Sequence, residues 1–190
     1  MLPTAARVLR LAALCLSLTT ATAAAAASAA AASPEDLLTE AERSDYRRTM
    51  THAQVEELSA ALAERSERIH LTRLGTSHEG RTLPLLIVAD PPIRTAAEAR
   101  AARGRELVLL FGNIHAGEVC GKEALLMLAR ELGLAEERPE LLERLIIAIV
   151  PNLNADGNER FSPDNRPGQD GPESMGQRAN AQGLDLNRDW

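Results

Sequence analysis

Two apolar runs and the residues that follow them decide the fold: Leu107-Val-Leu-Leu-Phe-Gly-Asn-Ile-His-Ala-Gly-Glu118 and Leu145-Ile-Ile-Ala-Ile-Val-Pro-Asn152. Each begins with five or six apolar residues, too few for a helix of ordinary length, and each is closed by turn-forming residues. Both read as buried strands, the first of them central in its sheet. Between them, Glu118 to Leu132 repeats apolar residues at helical spacing, with Ala124, Leu125, Leu128 and Leu132 on one face and Gly133 as the stop. Strand, helix and strand in that order predict a parallel or mixed α/β sheet.

Upstream, Ile69 to Leu74 and Leu83 to Ala89 are of strand length and flank the turn-rich Gly75-Thr-Ser-His-Glu-Gly-Arg81, which predicts an antiparallel hairpin. Thr51 to Arg65 reads as a helix, with Thr51 and Gln54 forming a capping box and Val55, Leu58 and Leu62 on one face. Pro34 to Arg43 reads as a shorter helix capped by Ser33. Ile93 to Gly104 fits either a surface helix or a loop. Asn152 to Asp185 is rich in Asn, Gly, Pro, Asp and Gln and reads as a long irregular stretch, a kind that is usually either functional or disordered when it lies inside a compact domain.

The first residues stand apart. Arg7 and Arg10 precede the apolar run Leu11 to Leu18, and an alanine tract with many Ala-x-Ala sites follows. That order marks residues 1–32 as a secretory signal peptide, and the apolar run is shorter than the roughly 20 residues a membrane span needs. The expected location is therefore secreted or periplasmic, with no stable membrane anchor. Net charge is −6 and becomes more negative once Arg7 and Arg10 leave, which argues against nucleic acid as a partner. Only Cys120 remains after cleavage, so no internal disulfide can form. Lys122 is the lone lysine. Tyr46, Phe111, Phe161 and Trp190 are the entire aromatic stock.

Chemistry concentrates where strands end. His115 and Glu118 follow the first apolar run directly. Imidazole nitrogen and carboxylate oxygen are both good zinc ligands, and three-residue spacing on a tight turn can aim them at one ion. Ligands gather at the carboxyl ends of strands in open α/β sheets, and Gly112 and Gly117 leave room for one. Asn154-Ala-Asp-Gly157 reads as a turn on the same edge. Arg178, Asn187 and Arg188 could meet a carboxylate, since a guanidinium makes two parallel hydrogen bonds to one. His52, His70 and His78 all precede the pair and are expected at the surface.

Taken in order, His115-Ala-Gly-Glu118, Asn154-Ala-Asp-Gly157, Arg178 and Gly183-Leu-Asp-Leu-Asn-Arg188 resemble the carboxypeptidase A-type zinc metallocarboxypeptidase family. Ser44-Asp-Tyr46 and the turn at 75–81 extend the likeness to residues 44–190. The resemblance implies a mixed central β-sheet flanked by helices, with residues 33–190 forming the N-terminal part of a catalytic domain that is incomplete at its C-terminus. It implies one zinc ion held by His115 and Glu118. It further implies that Arg178 polarises the scissile carbonyl, and that Asn187 and Arg188 grip the terminal carboxylate of a peptide or protein substrate. The family's third zinc ligand is a histidine, and none follows His115 here. Its general-base glutamate likewise has no counterpart. The expectation is a truncated gene product, or a degenerate protein. Two other readings share parts of the pattern: a related zinc N-acyl amino acid deacylase, and a non-catalytic module that binds peptide carboxylates. Ala155 stands where the family has proline, and Asp189-Trp190 where Asn-Phe is more common.

The leader makes a direct prediction. Mass spectrometry of the exported protein should find a new N-terminus between Ala23 and Ser33. Recovery of the chain with Met1 still attached would refute the signal peptide.

Overall fold

The computed structural model describes residues 37–134 and 139–188. The leader, Ser33, Pro34 and Trp190 lie outside them. Four strands form one mixed sheet in the order β1-β2-β4-β3. β1 (Ile69–Thr76) and β2 (Thr82–Val88) are the expected hairpin, antiparallel, with β1 two residues longer than its apolar run and β2 shifted by one residue toward the turn. β2 pairs antiparallel with β4 (Leu145–Val150), and β4 pairs parallel with β3 (Glu106–Phe111) from Glu106↔Leu145 to Phe111↔Val150.

Helix α1 (Glu40–Arg43) is a single turn capped by Thr39, with the capping box closed by Glu42. The expected start at Pro34 lies outside the described residues; α1 itself begins at Glu40 because Thr39 and Glu42 have the spacing that satisfies its first backbone amides. Helix α2 (His52–Arg65) has the expected cap: the Gln54 amide donates to Thr51 Oγ1 at 3.3 Å, and Gln54 Oε1 accepts from the Thr51 amide at 2.8 Å. The segment from Ile93 resolves into a short exposed helix, α3 (Ala96–Ala101), capped by Thr95 and Glu98. The main crossover helix is α4 (Cys120–Leu134), followed by the single short helix α5 (Pro139–Arg144).

Helices α2 and α4 cover one face of the sheet. Val55, Leu58, Leu62, Leu86, Val88, Leu126, Ala129, Leu132, Ile147 and Ile149 form the core there. Arg130 on α4 ties α1 down with a forked ion pair to Glu42, which holds that carboxyl down to about 2. A smaller cluster of Ala89, Ile93 and Ile146 lies under α3 on the opposite face.

Three readings of the crossover need correction. The buried face of α4 differs in part from the expected Ala124, Leu125, Leu128 and Leu132: Ala124 is exposed, Leu125 and Leu128 are partly buried against the core, and Leu132 is buried. That face runs through Lys122, Glu123, Leu126, Ala129, Leu132 and Gly133, and the register was hidden because two of these carry charge. Gly133 does not stop the helix. It lies inside, and a Cβ there would meet Ile69 Cδ1 at 2.3 Å, so a larger residue would have to displace the Ile69 side chain where α4 packs on β1. Finally, β3 is an end strand of this sheet rather than a central one. Leu107 and Leu109 are 64% and 53% exposed, because among the described residues nothing covers that face of β3.

The carboxyl ends of β3 and β4 lie side by side because the two strands are parallel. Gly112, just past β3, touches the backbone of Gly121 in α4: a Cβ at 112 would sit 2.8 Å from Gly121 C. Backbone cannot yield as a side-chain tip can. Gly112→Ala should therefore destabilise the fold by about 1–3 kcal/mol, the usual cost of overpacking, seen as a lower urea midpoint. Gly75→Ala has open space around its Cβ and should shift the midpoint far less. Equal midpoints for the two variants would refute this account of the close approach.

Candidate active site

The chain leaves β3 through Asn113, which has a left-handed backbone (φ 60), and turns at once into Ile114-His115. Asparagine tolerates that conformation better than most residues. The turn closes with the Glu118 amide donating to the His115 carbonyl at 2.9 Å. Beside it, the chain leaves β4 through Asn152 and enters a one-turn helix, α6 (Ala155–Asn158), capped by Asn154. The Asn154 amide donates to the Asn113 carbonyl at 3.2 Å and joins the two strand exits.

His115 is 6% exposed, and both ring nitrogens have partners. Nε2 donates to Asp185 Oδ1 at 2.7 Å, while Nδ1 lies 3.2 Å from Glu118 Oε1. Asp185 also accepts from the Asn187 amide at 3.0 Å. Its other oxygen accepts from Arg178 Nε and Nη2 at 3.1 and 2.9 Å. The His115 bond, the Asn187 amide and the Arg178 guanidinium together hold the Asp185 carboxyl well below the usual carboxylate range. An ionised Asp185 favours a proton on Nε2, so that Nδ1 is the nitrogen that could offer a lone pair to a metal ion placed between it and Glu118. Arg166 Nη1 reaches Glu118 Oε1 at 3.1 Å, with Arg178 farther off at 3.9 Å.

The structure therefore brings together His115, Glu118 and Arg178 of the sequence-predicted residues. Asn187 and Arg188 lie in the adjoining 3-10 turn, Leu186–Arg188. Both side chains are exposed, and Arg188 donates to the Asn187 carbonyl at 2.7 Å. Sequence reading missed Asp185 and Arg166. Asp185 had a signal, since it lies within the Asp-Leu-Asn-Arg segment, but Arg166 sits in an irregular loop without one. The room foreseen beside Gly112 and Gly117 is taken by protein. A Cβ at Gly117 would meet Arg166 Cγ at 2.6 Å.

Asn154 to Gly157 proves to be more than a surface turn. Asn154 Nδ2 donates to the carbonyls of Ile114, Arg178 and Ala179, pinning the His115 turn to the Arg178 loop. Asp156 accepts from Ser77 Oγ at 2.6 Å, Arg81 Nη1 at 2.6 Å and the Glu79 amide at 3.1 Å, which anchors the β1–β2 turn. These bonds, from Ser77 first and then Arg81, outweigh burial and lower the Asp156 pKa. Among the surface histidines foreseen, His78 is exposed in its turn and His70 is half-buried, but His52 is 3% exposed. It is held between the Thr82 carbonyl and the Asn152 amide, at 2.8 and 3.1 Å.

Among the described residues no three His, Cys, Asp or Glu side chains gather as a metal cage. The pair nonetheless suits zinc. Ligand bonds of about 2.0–2.2 Å in a tetrahedron place two ligand atoms about 3.4 Å apart, near the 3.2 Å between Nδ1 and Oε1. The carboxylate on Nε2 is the support a metal-bound histidine usually has.

Residues 55–190 match the family model described as zinc carboxypeptidase. This chain belongs to the zinc carboxypeptidase family. It is 36% identical over 145 residues to mouse carboxypeptidase D, covering 70% of this chain and 10% of that protein. It is 32% identical over 146 residues to mouse carboxypeptidase Z, covering 74% of this chain and 21% of the relative. The chain thus spans a small part of the relatives it matches. Its fold is similar to that of a Shewanella denitrificans protein described as a carboxypeptidase A, with a TM-score of 0.51 at 24% identity, over 73% of this chain and 31% of that one.

Asp185→Asn should remove the anion that fixes the His115 tautomer. Nitrogen chemical shifts of the His115 ring should then move from the Nε2-protonated form toward a mixture, and zinc should bind about tenfold more weakly, as for other lost supports of metal ligands. Unchanged ring shifts would refute the assignment.

Proposed function

We propose that residues 33–190 are the N-terminal part of the catalytic domain of an exported zinc metallocarboxypeptidase, which removes C-terminal residues from peptides or proteins outside the cytoplasm. The supporting observation is the two-sided hold on the His115 ring, with Asp185 on Nε2 at 2.7 Å and Glu118 facing Nδ1 at 3.2 Å. His115 Nδ1 and Glu118 would hold the zinc ion, which when bound supplies a water of lowered pKa near neutral pH.

The chain's own residues then position substrate. Arg188 and Asn187 receive the terminal carboxylate, and this restricts cleavage to chain ends, because only an end carries that group. Arg178, fixed by two bonds to Asp185, presents its remaining donor edge to the scissile carbonyl, where developing negative charge strengthens the contact. Among the described residues no helix is long and apolar enough to cross a membrane. The leader at 1–32 carries the case for export.

A catalytic zinc takes three protein ligands, and this site supplies two. The 190-residue chain alone should therefore hold zinc weakly and release no C-terminal amino acid. Stoichiometric, tightly held zinc with exopeptidase activity would overturn that expectation. Fused to a carboxypeptidase C-terminal half that carries the third histidine, the chain should cleave blocked dipeptides with a free carboxylate. In that fusion Arg188→Ala should cost roughly 2–4 kcal/mol in kcat/KM, as for loss of a charged hydrogen-bonding partner, and only for substrates with the free carboxylate. Arg178→Ala should lower kcat. An Arg188→Ala enzyme that still cleaved such substrates at the parent rate would remove the carboxylate role.

A further inference from the structure

Lys122, the chain's only lysine, is completely buried on α4, one turn after Glu118. A buried ammonium is costly and demands partners. Its Nζ donates to the Met50 carbonyl and, at 2.7 Å, to Asn158 Oδ1. Asn158 Oδ1 also accepts from Asn113 Nδ2 at 3.0 Å, and the same nitrogen donates to Asn152 Oδ1 at 2.7 Å. A continuous path of bonds thus runs from Lys122 through Asn158 to Asn113, the left-handed residue two positions before His115.

The charged and titratable groups around the ammonium are Glu123 on α4, Glu159 just past α6, and His52 at the start of α2. None of them bonds to Nζ. Glu123 accepts from Thr49 Oγ1 and the Met50 amide at 2.7 and 2.8 Å. Glu159 accepts from the His52 amide and Asn158 Nδ2 at 2.7 and 3.0 Å. Burial pushes the Lys122 pKa down to about 8, with Glu123 and Glu159 pulling the other way at a distance.

Stability does not call for this charge. The Met50 carbonyl also accepts from Asn158 Nδ2 at 3.2 Å, and Asn158 Oδ1 keeps Asn113 Nδ2, so both acceptors would stay satisfied without it. What the ammonium adds is direction. It has donors and no acceptor, so it holds the Asn158 oxygen toward itself and reinforces the orientation that the Met50 carbonyl and the Glu159 carboxylate favour by accepting from Asn158 Nδ2. Asn113 must then donate its amide to that oxygen. A flipped Asn158 would set two NH2 groups against each other.

We propose that Lys122 is a positioning residue for the His115–Glu118 pair: by fixing the orientation of Asn158 it locks Asn113, and with it the turn from which both side chains project. The role rests on the reading of those two residues as a metal pair.

The test uses the 190-residue chain, with the His115 ring signals assigned through His115→Gln and followed by NMR. Lys122→Met keeps the length of the side chain and removes the charge. It should fold, yet shift the His115 signals and raise the Zn2+ concentration needed for half-maximal change about tenfold. In the parent protein the His115 signal should also step near pH 8, between pH 7 and 9.5, as Lys122 loses its proton. That step should be absent from Lys122→Met. A folded Lys122→Met with unchanged His115 signals would overturn the proposal. Should the variant not fold, the parent titration decides: a step near pH 8 supports the role, and a flat signal overturns it. Failure of zinc to move the parent His115 signal would instead count against the metal pair, and the pH step would still report on Lys122.

Discussion

One buried amide joins the parts on which the site stands. Asn113 Nδ2 donates at once to Asn152 and Asn158, and so links the end of β3, the end of β4 and the helix α6. Parallel pairing of β3 with β4 brings these ends to one edge of the sheet. Pairing alone would leave them as two independent loops. Side-chain amides at positions 113, 152, 154 and 158, all nearly inaccessible, turn the loops into one unit. Buried polar groups of this kind are costly unless each finds a partner. Each of these amides finds at least one partner, though Asn113 Oδ1 is buried without one; paired in this way they permit few alternative arrangements, which is what a site requiring fixed geometry needs.

The same logic continues outward to the imidazole. His115 is held through its backbone by the Asn113 turn and through its ring by Asp185. Asp185 is in turn held by Arg178 and the Asn187 amide. The residues assigned to metal, carbonyl and carboxylate are therefore not separate loop features. Asp185 touches two of them and belongs to the same short segment as the third. Arg178 is tied back to the sheet edge a second time, through the bond from Asn154 Nδ2 to its carbonyl.

Much of this was legible in the sequence, and the omissions share a cause. The strands, the capping box at Thr51 and the His115–Glu118 pair were readable because they depend on local spacing. The exposed face of β3 was not, since an apolar run such as Leu107 to Phe111 looks the same whether or not something covers it. Asn154 to Gly157 looked like an ordinary turn because asparagine, aspartate and glycine favour turns in water. Nothing local shows that these side chains point inward. His52 was expected at the surface by its type, and nothing local marks Lys122 or Glu123 for burial; only the three-dimensional arrangement of Met50, Thr49, Thr82, Asn152 and Asn158 supplies the partners that allow it. Arg166 carried no local signal at all. Its contact with Glu118 depends on Gly117 having no side chain and on a loop whose course no periodicity records.

Charge distribution completes the argument. The chain as a whole is acidic, with a net charge of −6, yet Arg166 and Arg178 converge on Glu118 and Asp185, and Arg188 follows within the same segment. An acidic surface repels anions in general, so the peptide carboxylate proposed as substrate would gain from a local exception to it. Here the exception is built from arginines whose positions are fixed by acids, Arg166 by Glu118 and Arg178 by Asp185. Such pairing lowers the cost of gathering like charges and limits the rotamers each side chain can adopt. Arg188 differs, because its bond is to a neutral carbonyl, that of Asn187. Among the described residues no acid pairs with Arg188, a property that suits the carboxylate role proposed for it.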